Sequence, residues 1–257
     1  GIFDSGLGGL SILSEIHKQL PREDILYLAD SINAPYGEKS QKEIINFSIE
    51  NTQFLLSKGC KMIVVACNTA TTNAIDILRE KHDIPFIGIE PAIKPASLQT
   101  QTGKIGILAT RGTLSSHLFS KSAKKLNKNV KIIEVVGEGI VEAVENNTSH
   151  TDEFYEHLSS QLKPFLKADI DHLVLGCSHY PFIISTIKKI IRHKVNIIDS
   201  GFAVAKQTKR ILNKNHLETT RPKQNKGSIK ISTKGTSMSA LDTILSQLQL
   251  DNYKIVN

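Results

Sequence analysis

The sequence MIVVACNT spans residues 62–69 and joins a short apolar run to a cysteine and small polar residues. The sequence HLVLGCSH, residues 172–179, repeats this arrangement about half a chain later. Each apolar run predicts a buried strand, and the polar residues behind each cysteine predict the start of a helix. The pattern places two thiols, Cys67 and Cys177, at two strand ends and indicates a paired site.

Further apolar runs of strand length recur with amphipathic stretches between them, at residues 25–28, 86–89, 105–109, 132–136, 195–198 and 229–232. Strands that alternate with helices form mostly parallel sheets with helices on both faces. Prolines near residue 92 and a new predicted strand that starts at residue 104 indicate that a second domain begins at about residue 93. We therefore predict an α/β fold of two similar three-layer domains, residues 1–92 plus 205–257 and residues 93–204, with the active site in the cleft between them. The C-terminal segment 205–257, predicted as a helix, a strand and a helix, completes the first domain.

Capping signals and strand ends locate further features. Ser40 followed by Glu43 forms a capping box and predicts a helix that ends near Lys58. Thr113 is the expected N-cap of the helix that follows the strand at 105–109. Ligands of open α/β sheets bind at the carboxyl ends of strands. By this rule we expect the ends at Asp4, Cys67, Thr110 and Cys177 to face one cleft.

The composition argues against several classes of protein. Lysines and arginines exceed aspartates and glutamates by seven, and tryptophan is absent. The basic stretches at 121–131, 188–194 and 206–230 contain no aromatic residue and so differ from a nucleic-acid platform. We interpret them as a solvated basic surface that would steer an anionic substrate.

Targeting and cysteine signals favour the cytoplasm. No apolar stretch reaches the roughly 18 residues of a membrane span, and the first residues lack a signal-peptide pattern. Three cysteines in such a chain indicate reduced thiols rather than a disulfide framework. We expect a cytoplasmic protein that binds neither membrane nor nucleic acid.

A glycine-rich turn, FDSGLGGLS at residues 3–11, links the first predicted strand to a helix. Its spacing matches neither the dinucleotide fingerprint nor the Walker loop. Exposed amides at a helix start could bind a carboxylate, and a tight turn without a ligand is the alternative.

Each cysteine taken alone could be a small buried hydrophobic residue, and Cys60 fits that description. Cys67 and Cys177 differ, because hydroxyl and amide residues crowd behind the first and His179 follows the second. A helix start lowers the pKa of a thiol from its usual value of about 8.5. We predict no metal site, because His172 and His179 fall at opposite ends of a strand. A thiol hydrolase that uses Cys177 and His179 is a stronger alternative interpretation of these residues than a metal site.

Four segments together resemble the signature segments of the bacterial glutamate racemases. In chain order they are FDSGLGGL (3–10), PYG (35–37), ACNTA (66–70) and LGCSHYP (175–181). The resemblance runs from residue 1 to about residue 205. It implies a cofactor-independent interconversion of L- and D-glutamate that supplies D-glutamate for peptidoglycan, in two α/β domains with the site between them.

The resemblance also implies roles for individual residues. The thiol that acts on D-glutamate corresponds to Cys67, assisted by Asp4, and the thiol that acts on L-glutamate corresponds to Cys177, assisted by His179. The substrate-holding residues correspond to Ser5, Pro35, Tyr36, Gly37, Asn68, Thr69, Thr113 and Ser178. The family further implies glutamate as substrate, no cofactor, a homodimer and, in some members, a cell-wall precursor as activator.

One implied role and two departures concern the second half. The acidic residue that pairs with the second histidine corresponds best to Glu145, with Glu142 and Glu138 as alternatives. Ser178 stands where the family usually has threonine, and Arg111 where we expect a less charged residue.

The resemblance agrees with the chemistry of the residues. Removing an α-proton and returning one to the other face requires two acid/base groups, and a thiolate and a thiol can exchange these roles after each turnover. No lysine lies in the context of a pyridoxal phosphate site. The alternatives are a racemase for aspartate or another amino acid, a single-thiol hydrolase or decarboxylase at Cys177, and a binding protein for an anionic amino acid.

Overall fold

A computed structural model describes residues 1–125, 130–191, 195–233, 235–250 and 252–256, so parts of the basic stretches 121–131 and 188–194 lie outside the described residues. The strands are β1 (Ile2–Asp4), β2 (Ile25–Ala29), β3 (Ile63–Val65), β4 (Phe86–Gly88), β5 (Lys104–Ala109), β6 (Lys131–Val136), β7 (His172–Gly176), β8 (Asn196–Ile198), β9 (Ile229–Thr233) and β10 (Tyr253–Val256). The helices are α1 (Leu10–Gln19), α2 (Gln41–Ser57), α3 (Asn68–Lys81), α4 (Ile93–Gln99), α5 (Arg111–Leu114), α6 (His117–Lys124), α7 (Ile140–Glu145), α8 (Asp152–Ala168), α9 (Ile184–Ile191), α10 (Gly201–Lys214) and α11 (Met238–Leu248). Of these helices, none is both long and apolar enough to cross a bilayer.

The strands form two sheets. The first has the order β10-β9-β2-β1-β3-β4 and the second the order β6-β5-β7-β8, and the strand pairs of both sheets run parallel. The predicted α/β class with mostly parallel sheets is therefore confirmed.

Both faces of each sheet are buried, which explains why the strands are apolar without strict alternation. In the first sheet, Val64 packs into one hydrophobic cluster while its neighbours Ile63 and Val65 pack into another. In the second sheet, Leu173 and Val174 likewise enter different clusters. Side chains of consecutive strand residues point to opposite faces, so each sheet lies between two apolar layers.

The chain leaves the first sheet after β4 and returns to it after β8. The two connections are joined by the Ser200 hydroxyl, which donates to the carbonyl of Glu90 at 2.6 Å. The segment 205–257 contains one strand more than the sequence predicts, because β10 is a short edge strand whose partly exposed residues carry little apolar signal. These features support our proposal of one domain from residues 1–92 plus 205–257 and another from residues 93–204.

One of the two helix-capping predictions is confirmed and the other is wrong. The capping box of Ser40 and Glu43 is present at the start of α2, and that prediction is confirmed. The N-cap prediction for Thr113 is wrong, because the hydroxyl of Thr110 accepts from the Thr113 amide and caps α5. The helix starts one turn earlier than expected because Thr110 directly follows β5.

Candidate active site

The sheet topology brings the strand ends of interest together in pairs. β1 lies beside β3, so their carboxyl ends carry Asp4 and Cys67 side by side. β5 lies beside β7 with Ala109 opposite Gly176, so Thr110 and Cys177 are neighbours in the second sheet. The two cysteines therefore reach the site from different sheets.

A nearly closed cavity joins these two edges. It is lined by Ser5, Pro35, Tyr36, Gly37, Cys67, Asn68, Thr69, Thr110, Val141, Cys177, Ser178 and His179. Its volume of about 10 Å³ is room for about one water molecule. Any amino acid is larger, so its walls must separate to admit one.

Cys67 is buried among groups that change the pKa of its thiol. Its Sγ lies 3.7 Å from the Ser5 hydroxyl and accepts from the Ala70 amide at 3.4 Å, so the thiol sits at the N-terminus of α3. Burial, followed by the negative charge of Asp4, raises the pKa of Cys67 above its ordinary value. The protein therefore holds Cys67 as a thiol at neutral pH, with an amide and a hydroxyl placed to stabilise a thiolate when one forms.

Cys177 has different neighbours. Its Sγ lies 3.7 Å from Nδ1 of His179, and Nε2 of that ring lies 2.6 Å from Oε1 of Glu145. Burial alone would lower the pKa of His179, but its hydrogen bonds with Cys177 and Glu145 raise it well above the ordinary value overall. A partly buried carboxylate thus supports an imidazolium that faces the second thiol. This contact selects Glu145 from the three acidic candidates.

The glycine-rich turn binds the protein's own carboxylates. The amides of Gly6 and Gly9 donate to Oδ2 of Asp4, at 3.4 and 2.9 Å, and the Leu7 amide donates to Oε1 of Glu145 at 2.5 Å. The anion-binding geometry predicted for the turn is present, and in this structure its anions are side chains of the same chain.

Asp4 connects the two halves of the site. Its Oδ1 accepts from the Ser178 hydroxyl at 3.1 Å, and that hydroxyl also lies 3.4 Å from Nδ1 of His179. Burial raises the pKa of Asp4, while the neighbouring His179 opposes that shift. The hydrogen bonds of Asp4 run to the turn and to Ser178, so its effect on Cys67 is electrostatic. A serine is sufficient for this bridge, because the bridging atom is the hydroxyl.

Tyr36 contributes its ring to the cavity, and its hydroxyl points away from it. That hydroxyl donates to Oδ2 of Asp30 at 2.5 Å and accepts from the Asn51 amide at 3.0 Å. Asn33 also donates to Asp30, at 3.0 Å. This buried network, which no motif in the sequence indicated, fixes the turn that carries Pro35 and Gly37 at the cavity wall.

Three threonine hydroxyls form a cluster beside the 35–37 turn, where Thr110 packs against Gly37. Thr69 lies 2.8 Å from Thr110 and 3.3 Å from Thr113, and Thr110 donates to Thr113 at 3.0 Å. Thr110 lines the cavity, whereas Thr113 lies behind it. The strand-end rule placed Thr110 at the cleft in the sequence analysis, although the family resemblance did not name it among the substrate-holding residues.

Two other candidates lie away from the cavity. Arg111 is exposed and pairs with Glu138 at 2.7 Å on the surface, so this departure from the family pattern does not enter the site. No group of three or more His, Cys, Asp or Glu side chains in the described part of the chain is placed to hold a metal ion.

Asn68 stands out because its side chain is buried and lacks partners. Its relative exposure is 2%, and among the residues that the structure describes neither its Oδ1 nor its Nδ2 has a hydrogen-bond partner. An unsatisfied buried amide costs roughly 1–3 kcal/mol, and a ligand that completes its hydrogen bonds would remove that cost. Asn68 lines the cavity, so its unpaired amide is accessible to a ligand bound there.

This cost leads to a prediction for stability. Asn68→Leu should raise the free energy of unfolding of the ligand-free protein by about 1 kcal/mol, because it removes unpaired polar atoms at similar volume. Asn51→Leu is the matched control and should lower it by about 2 kcal/mol, since it leaves Asp30 and Tyr36 with fewer partners. Urea unfolding of the three proteins measures both changes. A loss of stability in Asn68→Leu as large as in Asn51→Leu would contradict the assignment.

Comparison with known proteins points to one family. The family model of Asp/Glu/Hydantoin racemases matches residues 7–208. The glutamate racemase of Herpetosiphon aurantiacus is 43% identical, over 91% of this chain and 92% of that protein.

Two solved structures extend the similarity to the whole fold. Glutamate racemase isoform RacE1 from Bacillus anthracis superposes with a TM-score of 0.86 at 33% identity, over 100% of this chain and 95% of that one. Escherichia coli glutamate racemase, solved with L-glutamate and the activator UDP-MurNAc-Ala, has a TM-score of 0.84 at 30% identity, over 99% and 97% of the two chains. The chain therefore belongs to the Asp/Glu/Hydantoin racemase family, and the resemblance to glutamate racemases that its motifs indicated is confirmed.

Proposed function

We propose that this protein is a cofactor-independent glutamate racemase that uses Cys67 and Cys177 as its two acid/base groups. The observation that carries the proposal is that two thiols from different sheets line one nearly closed cavity, each with its own set of charged neighbours. Membership of the racemase family and the glutamate racemase relatives support glutamate as the substrate.

The reaction needs one thiolate and one thiol at a time. The thiolate takes the α-proton, the bond between Cα and hydrogen breaks, and the opposite thiol gives its proton to the other face of the carbanion-like carbon. After one turnover the two sulfurs have exchanged protonation states. By the family correspondence, Cys67 takes the proton from D-glutamate and Cys177 takes it from L-glutamate, and a thiolate at Cys177 would be stabilised by the His179 imidazolium.

The substrate would complete the hydrogen bonds that the cavity leaves open. Asn68, whose side-chain amide is unpaired among the described residues, lines the cavity together with the hydroxyl residues Ser5, Thr69, Thr110 and Ser178 and the 35–37 turn. Several neutral donors around the carboxylates remove the need for an arginine clamp.

The proposed activity has a biological setting. D-glutamate would supply peptidoglycan synthesis in the cytoplasm, and the activator bound in the Escherichia coli structure supports a cell-wall precursor as a regulator here. A homodimer is part of the proposal, and sedimentation of the purified protein would measure it.

Isotope exchange tests the chemistry directly. In heavy water, without any added cofactor, each enantiomer of glutamate should convert to the other, and the product should carry deuterium at the α-carbon while the remaining substrate stays largely unlabelled at early times. This asymmetry follows because the protonating thiol exchanges with solvent before it reacts. Proton NMR and chiral chromatography measure label and product. Absence of racemisation, or dependence on pyridoxal phosphate, would refute the proposal.

A further inference from the structure

The carboxylate of Glu145 is held from its outer side by two hydroxyls. Ser31 donates to Oε2 of Glu145 at 3.1 Å, and Thr236 donates to the Ser31 hydroxyl at 3.0 Å. Oε1, the other oxygen, carries the contacts with His179 and Leu7. Both oxygens of the carboxylate are therefore fixed, one toward the site and one toward the hydroxyls.

The sheet explains why these hydroxyls meet. β2 and β9 are parallel neighbours with Ala29 opposite Thr233, so the segments that follow them leave the same edge side by side. Ser31 lies in the segment after β2, and Thr236 lies in the segment after β9. The segment after β9 lies beyond residue 208, where the family match ends. The C-terminal segment thus reaches the site from outside the part of the chain that the racemase family model covers.

We propose that Ser31 and Thr236 are positioning residues that hold Glu145 against His179 and thereby serve proton transfer at Cys177 and not at Cys67. The chain of contacts runs from Thr236 through Ser31, Glu145 and His179 to Cys177. Donors that follow one another in a single direction strengthen each other, so the outermost hydroxyl acts through the inner one.

Cys67 lies outside this chain of contacts. Its sulfur contacts the Ser5 hydroxyl and the Ala70 amide, and within the described residues neither group is hydrogen-bonded to Glu145. A defect at Ser31 should therefore slow one of the two proton transfers. The inference rests on the proposed racemase function, because only a two-base reaction has two transfers to separate.

The equilibrium constant between the enantiomers is one, so kcat/KM must fall equally in both directions. Ser31→Ala should lower it by about 10-fold, because a hydrogen bond to a charged group is lost while water from an adjoining cavity of about 380 Å³ replaces it in part. The primary isotope effect on kcat/KM should rise with L-glutamate deuterated at the α-carbon, since transfer to Cys177 becomes more rate-limiting. The same isotope effect should fall with deuterated D-glutamate, since proton transfer to Cys67 becomes less rate-limiting.

Conservative variants distinguish a positioning role of the two hydroxyls from a general effect on folding. Ser31→Thr should restore the rate to within about 2-fold, and Thr236→Val should cost about 3-fold where Thr236→Ser costs nothing. The double variant Ser31→Ala with Thr236→Val should be no slower than Ser31→Ala alone, because Thr236 acts through Ser31. Ser237→Ala is the control, since it removes the cap of α11 in the same segment and should lower stability without changing either isotope effect.

The isotope effects decide the matter. Opposite shifts for the two deuterated enantiomers in Ser31→Ala support the proposal. Unchanged effects, or shifts of the same sign, in a variant that folds and racemises would overturn it while leaving the proposed function intact. If the wild-type protein does not racemise glutamate, the proposed function fails as well, and the two failures are therefore distinguishable.

Discussion

Replacing Cys67 or Cys177 by alanine should lower kcat for racemisation by about 10³-fold, because a positioned acid/base group contributes roughly 10²–10⁴-fold. Both losses should be large, since in the proposed mechanism each direction of the reaction needs one sulfur to accept a proton and the other to donate one. Steady-state racemisation of L- and D-glutamate, followed by circular dichroism, measures the two rates.

The third cysteine provides the control. Cys60 is half-buried beside Gly1 and does not line the cavity, so Cys60→Ala should keep its rate within about 2-fold of wild type. A variant at Cys67 that stayed near the wild-type rate would exclude the two-base mechanism. It would mean that Cys177 and His179 carry the racemisation without the second thiol.

The fold follows from features that a sequence displays well. Short apolar runs ending in polar residues identified the strands before Cys67 and Cys177, because central parallel strands are buried on both faces. The order of the strands could not be derived in this way. β9 joins the first sheet beside β2, which lies far away in the sequence, and no local pattern specifies that pairing.

The site was predictable where it depends on strand ends and less so where it depends on contacts across the cleft. Cys67 and Cys177 could be found because the strand-end rule and their polar neighbours agree. The link between Glu145 and His179 needed the structure, since Glu142 and Glu138 lie on the same short segment of sequence. Whether Glu142 or Glu145 faces the histidine depends on how α7 is rotated against the glycine-rich turn, and sequence alone leaves that rotation open.

The two thiols have unequal neighbours, and this inequality has a defined kinetic meaning. Cys67 is opposed by the negative charge of Asp4, and Cys177 faces an imidazolium supported by Glu145. Because the enantiomers are equally stable, these differences cannot alter the ratio of kcat/KM between directions. The differences between the two thiols should appear as different kcat values and different KM values for L- and D-glutamate. The ratio kcat/KM should be the same for both enantiomers.

The glycine-rich turn offers the second large effect, because Gly8 packs directly on the His179 ring. A Cβ at this position would lie 2.7 Å from Cγ of the imidazole, and the Gly8 amide nitrogen already lies 3.2 Å from Nε2. The ring is buried, so it cannot yield without losing its contacts with Cys177 or Glu145. The conformation of Gly8 itself is accessible to alanine, since its φ is not positive. The effect of a substitution is therefore steric and acts on the histidine.

Gly8→Ala should lower kcat/KM by about 10²-fold, because displacing a catalytic group by about 1 Å can cost that much. Gly59→Ala is the matched control, since Gly59 has φ +80° and a Cβ added there would meet no heavy atom of the described residues within 4 Å. That variant should lose about 1 kcal/mol of stability to backbone strain and keep its kinetics. If Gly8→Ala folds and keeps near-wild-type activity, the close packing of the turn on His179 has no part in catalysis. The glycines would then serve only to aim amides at Asp4 and Glu145, and the same conclusion would reduce the expected contribution of His179 to the transfer at Cys177.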